Sequence, residues 1–506
     1  MPLNTDICAR ALGARDARFD GIFFVGITTT RIYCRPVCPA RVSYPSHRRF
    51  FESAASAEQA GFRPCLRCRP ELAPGRALID AVPRLARVAA NRIAAGALNG
   101  RGVAQLAGEL GVSERHLRRA LEREIGVSPL ELAQTHRLLL AKRLLADTSL
   151  PVTRIAFASG FQSLRRFNSV FRERYRVSPG ALRRAPRSGA LLRDQSPRPT
   201  TPADPAIDLV RLTLAYRAPL AWDVLSSFLR REAMAGVEAG QGGRYCRTVR
   251  LGGRSGIVMV EDAAAASRDA QRTPRTHLNV DVSPSLLPVL MPLLARLRQL
   301  FDLDAEPTVV DAYLEQSGLG PQVRRHPGVR IPGAFDGFEV SLLALLRSPG
   351  RSGGALERRV VGALGERLDT GISELTRLAP GPERVAEAGA ARLAALGVSP
   401  RRAAAIASVA RAVADGTLRL EPGRDPIEAR RALMEIAGIG DGLATTITMR
   451  TLSWPDAFPA SDRLLQRAAG TASPAALRAR AEEWRPWRTY AALHLWLHAA
   501  RRDAAA

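Results

Sequence analysis

The chain has 506 residues, which is too long for one hydrophobic core and, at about 150 residues per domain, suits three or four domains. Lys and Arg together number 74 against 48 acidic residues, and the formal net charge of +26 favours a polyanionic partner. No apolar run approaches the roughly 18 residues of a membrane span, and Met1–Asp20 lacks a signal-peptide segment. We therefore expect a cytoplasmic protein with no membrane partner.

The positive charge is concentrated in the middle of the chain. Residues 76–200 contain 23 basic and 9 acidic residues, whereas residues 1–75 contain 11 and 6, and residues 201–506 contain 40 and 33. Bias in the coding sequence is an alternative explanation of the Arg content, since Lys142 is the only lysine. The uneven distribution favours a nucleic-acid-binding module between two less basic parts.

Four of the six cysteines form two close pairs near the N-terminus. Cys34 and Cys38 are followed, after 26 residues, by Cys65 and Cys68. Thiols stay reduced in the cytosol, so this cluster predicts a metal or catalytic site rather than disulfides. Two pairs of thiolates match a tetrahedral Zn²⁺ site, for which a purely structural staple is the alternative.

The segments around these cysteines resemble the Ada methylphosphotriester methyltransferase domain over residues 5–72. The resemblance rests on Asp20–Val25, Thr28–Arg41 and Gly61–Pro70. It implies that Cys34 is the catalytic methyl acceptor as well as a ligand of one Zn²⁺. The retained zinc ligands would be Cys38, Cys65 and Cys68.

A zinc-bound thiolate can discriminate between DNA phosphates by charge. Four thiolates on Zn²⁺ leave two net negative charges, which repel an ordinary diester but not an uncharged methylated triester. Once Cys34 becomes a thioether, one net negative charge remains and the repulsion of DNA weakens. We therefore hypothesise a charge switch that promotes promoter binding. The expected phosphate contacts are Arg31, Arg35 and Arg41.

The basic middle of the chain predicts two helix-turn-helix units. In the first, the helix Val103–Leu110 and a turn at Gly111 precede Ser113, an expected N-cap. A connecting helix over Pro129–Ala146 leads to the second unit, which begins at Val152.

The pair of units resembles an AraC-type double helix-turn-helix domain over residues 85–185. This resemblance implies that two recognition helices enter successive major grooves of DNA. A helical bundle with a solvated basic face is the alternative. The expected DNA contacts are Arg115, His116, Arg118, Arg119, Gln162, Ser163, Arg165 and Arg166.

The C-terminal half begins with mixed periodicity and continues with helices. Short apolar alternations between Val210 and Val280 predict an α+β subdomain, and helical periodicity prevails from Pro284 onward. Leu433–Ala444 predicts a helix, a Gly-Ile-Gly turn and a second helix. Such a hairpin presents backbone N–H groups at Gly438 and Gly440 to a DNA phosphate, with a monovalent cation as a candidate cofactor.

This hairpin, together with three earlier stretches, resembles AlkA-type DNA-3-methyladenine glycosylases II. The earlier stretches are Leu214–Asp223, Leu297–Asp304 and Val329–Glu339. By this resemblance, Asp462 is the catalytic carboxylate that stabilises oxocarbenium character as an alkylated base leaves, and Trp496 lines the base pocket. The alternative for Asp462 is a cap of the helix that starts near Arg463.

Two features depart from the AlkA-type pattern. Leu345–Arg351 stands where a duplex-inserting wedge is usual, and Gly442 and Thr446 stand where pocket aromatics are usual. Because Lys142 lies outside this region, we expect no Schiff-base lyase step. The chain also lacks the Pro-Cys-His-Arg motif of an O6-alkylguanine transferase.

The predicted fold class is therefore multidomain α+β. The expected parts are a zinc-binding α/β domain at 1–75, an all-α double helix-turn-helix domain at 83–186, a linker at 187–206, an AlkA-like α+β subdomain at 207–325 and a helical helix-hairpin-helix domain at 326–502.

These parts predict a bifunctional alkylation-repair protein and transcription regulator of the bacterial cytosol and nucleoid. Its expected partners are alkylated double-stranded DNA and promoter DNA, with RNA polymerase as a further candidate. The alternative is a zinc-containing AraC-type regulator whose glycosylase-like half is inactive and only binds DNA.

Overall fold

The computed structural model describes residues 4–40, 43–74, 84–184, 208–265, 276–347 and 354–505. The chain forms two compact units: unit 1 comprises Met1–Arg217 and Asn279–Ala295, and unit 2 comprises Ala218–Leu278 and Arg296–Ala506. Small sheets combined with many helices confirm the predicted multidomain α+β fold class. The predicted linker lies outside the described residues, and the domain boundaries stay predictions. None of the described helices is both long and apolar enough to cross a bilayer.

Unit 1 begins with a four-stranded sheet and two helices. These elements are α1 (Thr5–Ala14), β1 (Phe24–Ile27), β2 (Ile32–Cys34), β3 (Arg48–Phe51), α2 (Ala54–Gln59) and β4 (Arg63–Pro64). The strand order is β3-β1-β2-β4, in which only the β2–β4 pair is parallel. Asn4 begins α1 by accepting the first backbone N–H groups, and Ser53 begins α2 in a capping box.

The two faces of this sheet have different neighbours. One face carries an aromatic cluster that includes Tyr33 and Phe62, whereas Val25 on the other face packs with the four clustered cysteines. The faces alternate because successive side chains of a strand point to opposite sides. Gly26 permits the close packing, since a Cβ atom there would lie 2.7 Å from the ring of Phe51.

Seven helices follow in unit 1. They are α3 (Arg84–Ala94), α4 (Val103–Glu109), α5 (Glu114–Ile125), α6 (Pro129–Asp147), α7 (Val152–Ala158), α8 (Leu164–Tyr175) and α9 (Pro179–Arg184). The predicted N-cap at Ser113 is confirmed, because its side chain accepts the N–H of His116. Ser163 caps α8 in the same way. The pairs α4–α5 and α7–α8 are the two predicted helix-turn-helix units.

The next part of the chain supplies strands to both units. Its elements are β5 (Val210–Ala215), α10 (Trp222–Arg231), β6 (Glu238–Gln241), β7 (Arg244–Leu251), β8 (Arg254–Asp262), β9 (His277–Val282) and α11 (Leu290–Leu300). In unit 1, β5 is the neighbour of β9. In unit 2, β6, β7 and β8 form an antiparallel meander. This mixture confirms the predicted α+β character of the region.

The rest of unit 2 is helical, as the periodicity predicts. Its helices are α12 (Pro307–Leu314), α13 (Gly320–Arg325), α14 (Gly337–Leu346), α15 (Ala355–Leu364), α16 (Pro382–Ala395), α17 (Pro400–Ala414), α18 (Pro426–Met434), α19 (Asp441–Thr451), α20 (Arg463–Ala468), α21 (Pro474–Arg480) and α22 (Arg488–Ala505). One apolar core includes Leu433 and Ile447 of the α18–α19 hairpin. A second core includes Trp484 and Tyr490.

Candidate functional site

Four cysteine side chains converge at one edge of the unit 1 sheet. Cys34 ends β2, and Cys65 directly follows β4, the parallel neighbour of β2. The amide of Cys65 donates to the carbonyl oxygen of Tyr33 at 3.0 Å, which fixes the two strand ends side by side. The sulfur atoms of Cys34, Cys38, Cys65 and Cys68 all lie within 4.8 Å of one another.

The donor set and the spacing of this cluster fit Zn²⁺. Zn–S bonds of about 2.3 Å in a tetrahedron separate the sulfur atoms by about 3.8 Å. Hydrogen bonds among the four thiols and burial raise the pKa of Cys34 above its usual value. A coordinated cation has the opposite influence, because coordination deprotonates a thiol. The structure thus brings together all four ligands that the sequence predicted.

The four sulfur atoms differ in their backbone hydrogen bonds. Cys65 Sγ accepts the N–H of Arg67 at 3.3 Å, and Cys68 Sγ accepts the N–H of Arg35 at 3.4 Å. Within the described part of the chain, no backbone N–H reaches the sulfur of Cys34. Cys34 is also the most exposed of the four, at 9% against 6–8%.

The arginines that the sequence predicted as phosphate contacts near this cluster lie in different surroundings. Arg35 donates to Asp20 at 2.8 Å and to the carbonyl oxygen of Cys68 at 3.1 Å, so its guanidinium braces the ligand loop from within. Arg31 is exposed, but its guanidinium lies over the ring of Phe62, on the sheet face opposite the cysteines. Arg41 lies outside the described residues. Asp20, the buried partner of Arg35, was not among the site residues that the sequence predicted.

The two helix-turn-helix units present basic side chains to solvent. Arg115, His116, Arg118 and Arg119 are exposed on α5, whereas Leu117 and Leu121 are buried as predicted. Gln162, Ser163, Arg165 and Arg166 are likewise exposed at the start of α8. The hydroxyl of Ser163 is engaged in capping α8.

An open groove runs along α8. It is lined by Arg165, Asn168, Ser169, Arg172, Glu173 and Arg176. Three arginines line this groove, and arginine side chains bind phosphate in a bidentate manner. Sequence reasoning missed Arg172 and Arg176, although their spacing from Arg165 follows the helical period.

In unit 2, the turn between α18 and α19 forms the predicted hairpin. Gly438 has a φ of 99°, which favours glycine, and Gly440 is the N-cap of α19 without a side chain to cap it. The first N–H groups of α19 therefore have no side-chain acceptor at the cap and can serve an external anion.

Asp462 lies beside the start of this hairpin helix. Its neighbour Ser461 packs so closely that a Cβ atom at Gly442 would lie 2.5 Å from Ser461 Oγ. Asp462 caps α20, with Oδ1 accepting the N–H of Leu465 at 2.9 Å, as the alternative prediction required. The side chain is partly exposed, and among the described residues no hydrogen bond to its Oδ2 occurs. Capping one oxygen leaves the other available to a substrate.

The other predicted features of this region are partly described. Trp496 is half-buried and packs against the core of α22. Leu345 and Leu346 are buried in α14, and Arg347 pairs with Glu232 and Glu357 at 2.5 and 3.1 Å. Residues 345–347, which stand where a duplex-inserting wedge is usual, are thus packed or ion-paired within the protein. Residues 348–353 lie outside the described residues.

Three parts of the chain match known families. Residues 7–71 match the metal binding domain of Ada, residues 106–185 match a helix-turn-helix domain, and residues 211–336 match the AlkA N-terminal domain. The sequence is 37% identical over 503 residues to the probable bifunctional transcriptional activator/DNA repair enzyme AlkA of Mycobacterium tuberculosis. This alignment covers 97% of the chain and 95% of the relative.

Two relatives from Escherichia coli match separate halves. DNA-3-methyladenine glycosylase 2 is 32% identical over 287 residues, which is 56% of this chain and 96% of the glycosylase. The bifunctional transcriptional activator/DNA repair enzyme Ada is 33% identical over 125 residues, which is 24% of this chain and 34% of Ada.

Proposed function

We propose that Cys34 is the methyl acceptor of the N-terminal part of this chain. The premise is that the chain belongs to the family of bifunctional transcriptional activator/DNA repair enzymes AlkA. The observation that carries this assignment is the difference among the four sulfur atoms. A hydrogen bond to a thiolate stabilises its charge and lowers its nucleophilicity. Among the described residues, backbone N–H groups donate to the sulfurs of Cys65 and Cys68 but not to that of Cys34, and Cys34 has the largest exposed fraction of the four.

The transfer balances as a displacement at the methyl carbon. The Cys34 sulfur forms an S–C bond, the C–O bond of the methylphosphotriester breaks, and an ordinary phosphodiester anion leaves. Bound Zn²⁺ keeps the cysteine deprotonated at neutral pH. The other three cysteines hold the cluster together, and Arg35 braces Cys68 through its carbonyl oxygen. Each molecule reacts once, because the thioether does not revert.

The test is the mass of the Cys34 peptide after the full chain meets methylated duplex DNA. We expect one added methyl group on that peptide in the wild type and none in Cys34→Ser. Cys246→Ser is the matched control, since Cys246 lies outside the cluster, and it should take up methyl as the wild type does. An unmodified Cys34 peptide, or methyl uptake by Cys34→Ser, would contradict the assignment.

We propose a second activity for the C-terminal half, the hydrolytic release of alkylated bases of the 3-methyladenine type. Its support is the position of Asp462, whose neighbour Ser461 packs on the first turn of α19. A phosphate bound at Gly438 and Gly440 would bring the adjoining sugar toward this carboxylate. The uncapped oxygen can then stabilise positive charge at C1′ as the base leaves.

Asp462→Asn tests this activity without removing the helix cap, because asparagine caps a helix as well as aspartate does. We expect loss of free 3-methyladenine release from methylated DNA at unchanged stability. Asp425→Asn is the matched control, since Asp425 caps α18 in the same way and should leave release intact. Equal release by Asp462→Asn and the wild type would leave DNA binding as the role of this half.

We further propose that α5 and α8 read promoter DNA in the cytoplasm and that RNA polymerase is recruited there. The exposed basic side chains of both helices and the arginine groove of α8 support DNA contact. A gain in binding of a repair-gene promoter after Cys34 methylation is the expected result of a mobility-shift titration.

At the hairpin, a monovalent cation bound by the carbonyl groups around Gly438 and Gly440 would assist phosphate binding.

A further inference from the structure

A buried ion network joins the cysteine cluster to α6, the helix between the two helix-turn-helix units. Lys142 lies on α6 with only 3% of its side chain exposed. Its Nζ donates to Glu71 Oε2 at 2.6 Å and to the carbonyl oxygen of Cys65 at 3.2 Å. The chain has no other lysine. Lys142, a cation of the DNA-reading part, therefore donates a hydrogen bond directly to the backbone of the predicted zinc ligand Cys65.

The same ligand loop is tied to α6 at a second point. Arg69 directly follows Cys68, and its two terminal nitrogens donate to Asp147 at 2.6 and 2.9 Å. Its Nε donates to Glu71, whose side chain is 1% exposed, at 3.0 Å. Because Lys142 and Asp147 lie more than one turn apart on α6, the loop cannot shift along the helix without breaking the buried Lys142–Glu71 pair or the partly buried Arg69–Asp147 pair.

A third connection starts beside Cys34. The hydroxyl of the preceding residue, Tyr33, donates to Glu58 Oε1 at 3.0 Å. The other oxygen of Glu58 accepts from Thr135 of α6 at 3.1 Å and lies 3.7 Å from Arg174 of α8. Tyr33 and Glu58 are both buried. The carbonyl of Cys65 and the residue before Cys34 are thus both linked to α6 through buried polar groups.

We propose that Lys142 is a positioning residue through which the cysteine centre and the DNA-reading helices influence each other. The inference rests on the proposed function in taking Zn²⁺ as the metal and DNA as the partner. Groups buried in a medium of low dielectric constant have few alternative partners, so a change in the ligand loop must move α6 or break the Lys142–Glu71 pair. Coupling between two binding sites is reciprocal, and DNA must therefore change the hold of the cluster on its metal.

The experiment measures the rate at which the zinc-loaded full chain releases Zn²⁺ to a colorimetric chelator, with and without duplex DNA. In the wild type, DNA should slow release about fivefold or more, because bound DNA holds α6 and with it the loop from Cys65 to Cys68. In Lys142→Met, the ratio of the two rates should fall to about one. Lys142→Arg keeps a cation and should retain most of the effect.

The controls separate coupling from direct shielding and from misfolding. Leu130→Met, at an exposed position of α6, should keep the wild-type ratio. If Lys142→Met fails to fold by circular dichroism, Asp147→Asn loosens the second tie and should give an intermediate ratio. A wild-type ratio of one, or a Lys142→Met ratio equal to that of the wild type, overturns the proposal. No methyl transfer takes place in this assay, so an inactive Cys34 would refute the proposed function without obscuring this result.

Discussion

Replacing Arg247 should destabilise unit 2 more strongly at alkaline than at acidic pH. Arg247 lies on β7 with 2% of its side chain exposed, donates to Glu339 Oε2 at 2.7 Å and lies 4.0 Å above the ring of Phe335. Glu238 is a second acid, 3.6 Å away. In Arg247→Met, the carboxylate of Glu339 keeps its partly buried position at the start of α14 and loses its principal cation.

The magnitude follows from the pKa of Glu339. Burial raises this pKa to about 7, although Arg247 counteracts part of the effect. A carboxyl group with a raised folded-state pKa stabilises the fold below its unfolded pKa, and this contribution is lost as the pH rises from about 4.5 to 7. The loss amounts to about 3 kcal/mol at most, because 18% of the Glu339 side chain remains exposed. Removing Arg247 raises the pKa of Glu339 further, so the ionised Glu339 carboxylate destabilises the fold more strongly.

The assay is hydrogen exchange of the full chain, read in peptides from β7 and α14 and expressed as protection factors. For Arg247→Met, we expect a loss of about 3–5 kcal/mol at pH 8, which is more than a hundredfold in protection, and about 1–2 kcal/mol at pH 5, where Glu339 is neutral. Arg247→Met combined with Glu339→Gln should recover much of the protection at pH 8. The reasoning fails if the double variant is no better protected than Arg247→Met alone.

Two further predictions concern DNA. Gly442→Ala should force the Ser461 hydroxyl, which would lie 2.5 Å from the added Cβ atom, into another rotamer beside Asp462 and slow single-turnover base release, whereas Gly362→Ala, in open space on α15, should not slow release. Arg172→Gln in the α8 groove should weaken binding to all duplexes alike and reduce the slope of log affinity against log salt by about one, as fluorescence anisotropy over a salt series would show. Arg123→Gln, which changes an 85% exposed arginine near the end of α5, is the control for that slope.

Local patterns along the chain predicted several elements closely. The helix expected over Pro129–Ala146 is observed over Pro129–Asp147, and Ser113 is the N-cap that its sequence context predicted. Such features depend on residues within one or two turns of each other, so the sequence contains the necessary information. The hairpin at Gly438 is of the same kind, because a positive φ and the adjoining helices are local properties.

Partners of long polar side chains could not be predicted in this way. Arg35 and Arg31 have the same charge and stand near the same cysteine, yet one pairs with Asp20 and the other lies over Phe62. An arginine side chain reaches in several directions, and only the packing of strands and helices decides which group it meets.

The four clustered cysteines, the two helix-turn-helix units and the glycine hairpin could be predicted from the sequence, because residue spacing, caps and turn glycines are local patterns. Two other features could not: among the described residues Cys34 lacks a backbone hydrogen bond at its sulfur, and Lys142 pairs with Glu71, 71 residues away. Both depend on which distant segments pack together, and burial then makes these contacts strong by removing the competing water.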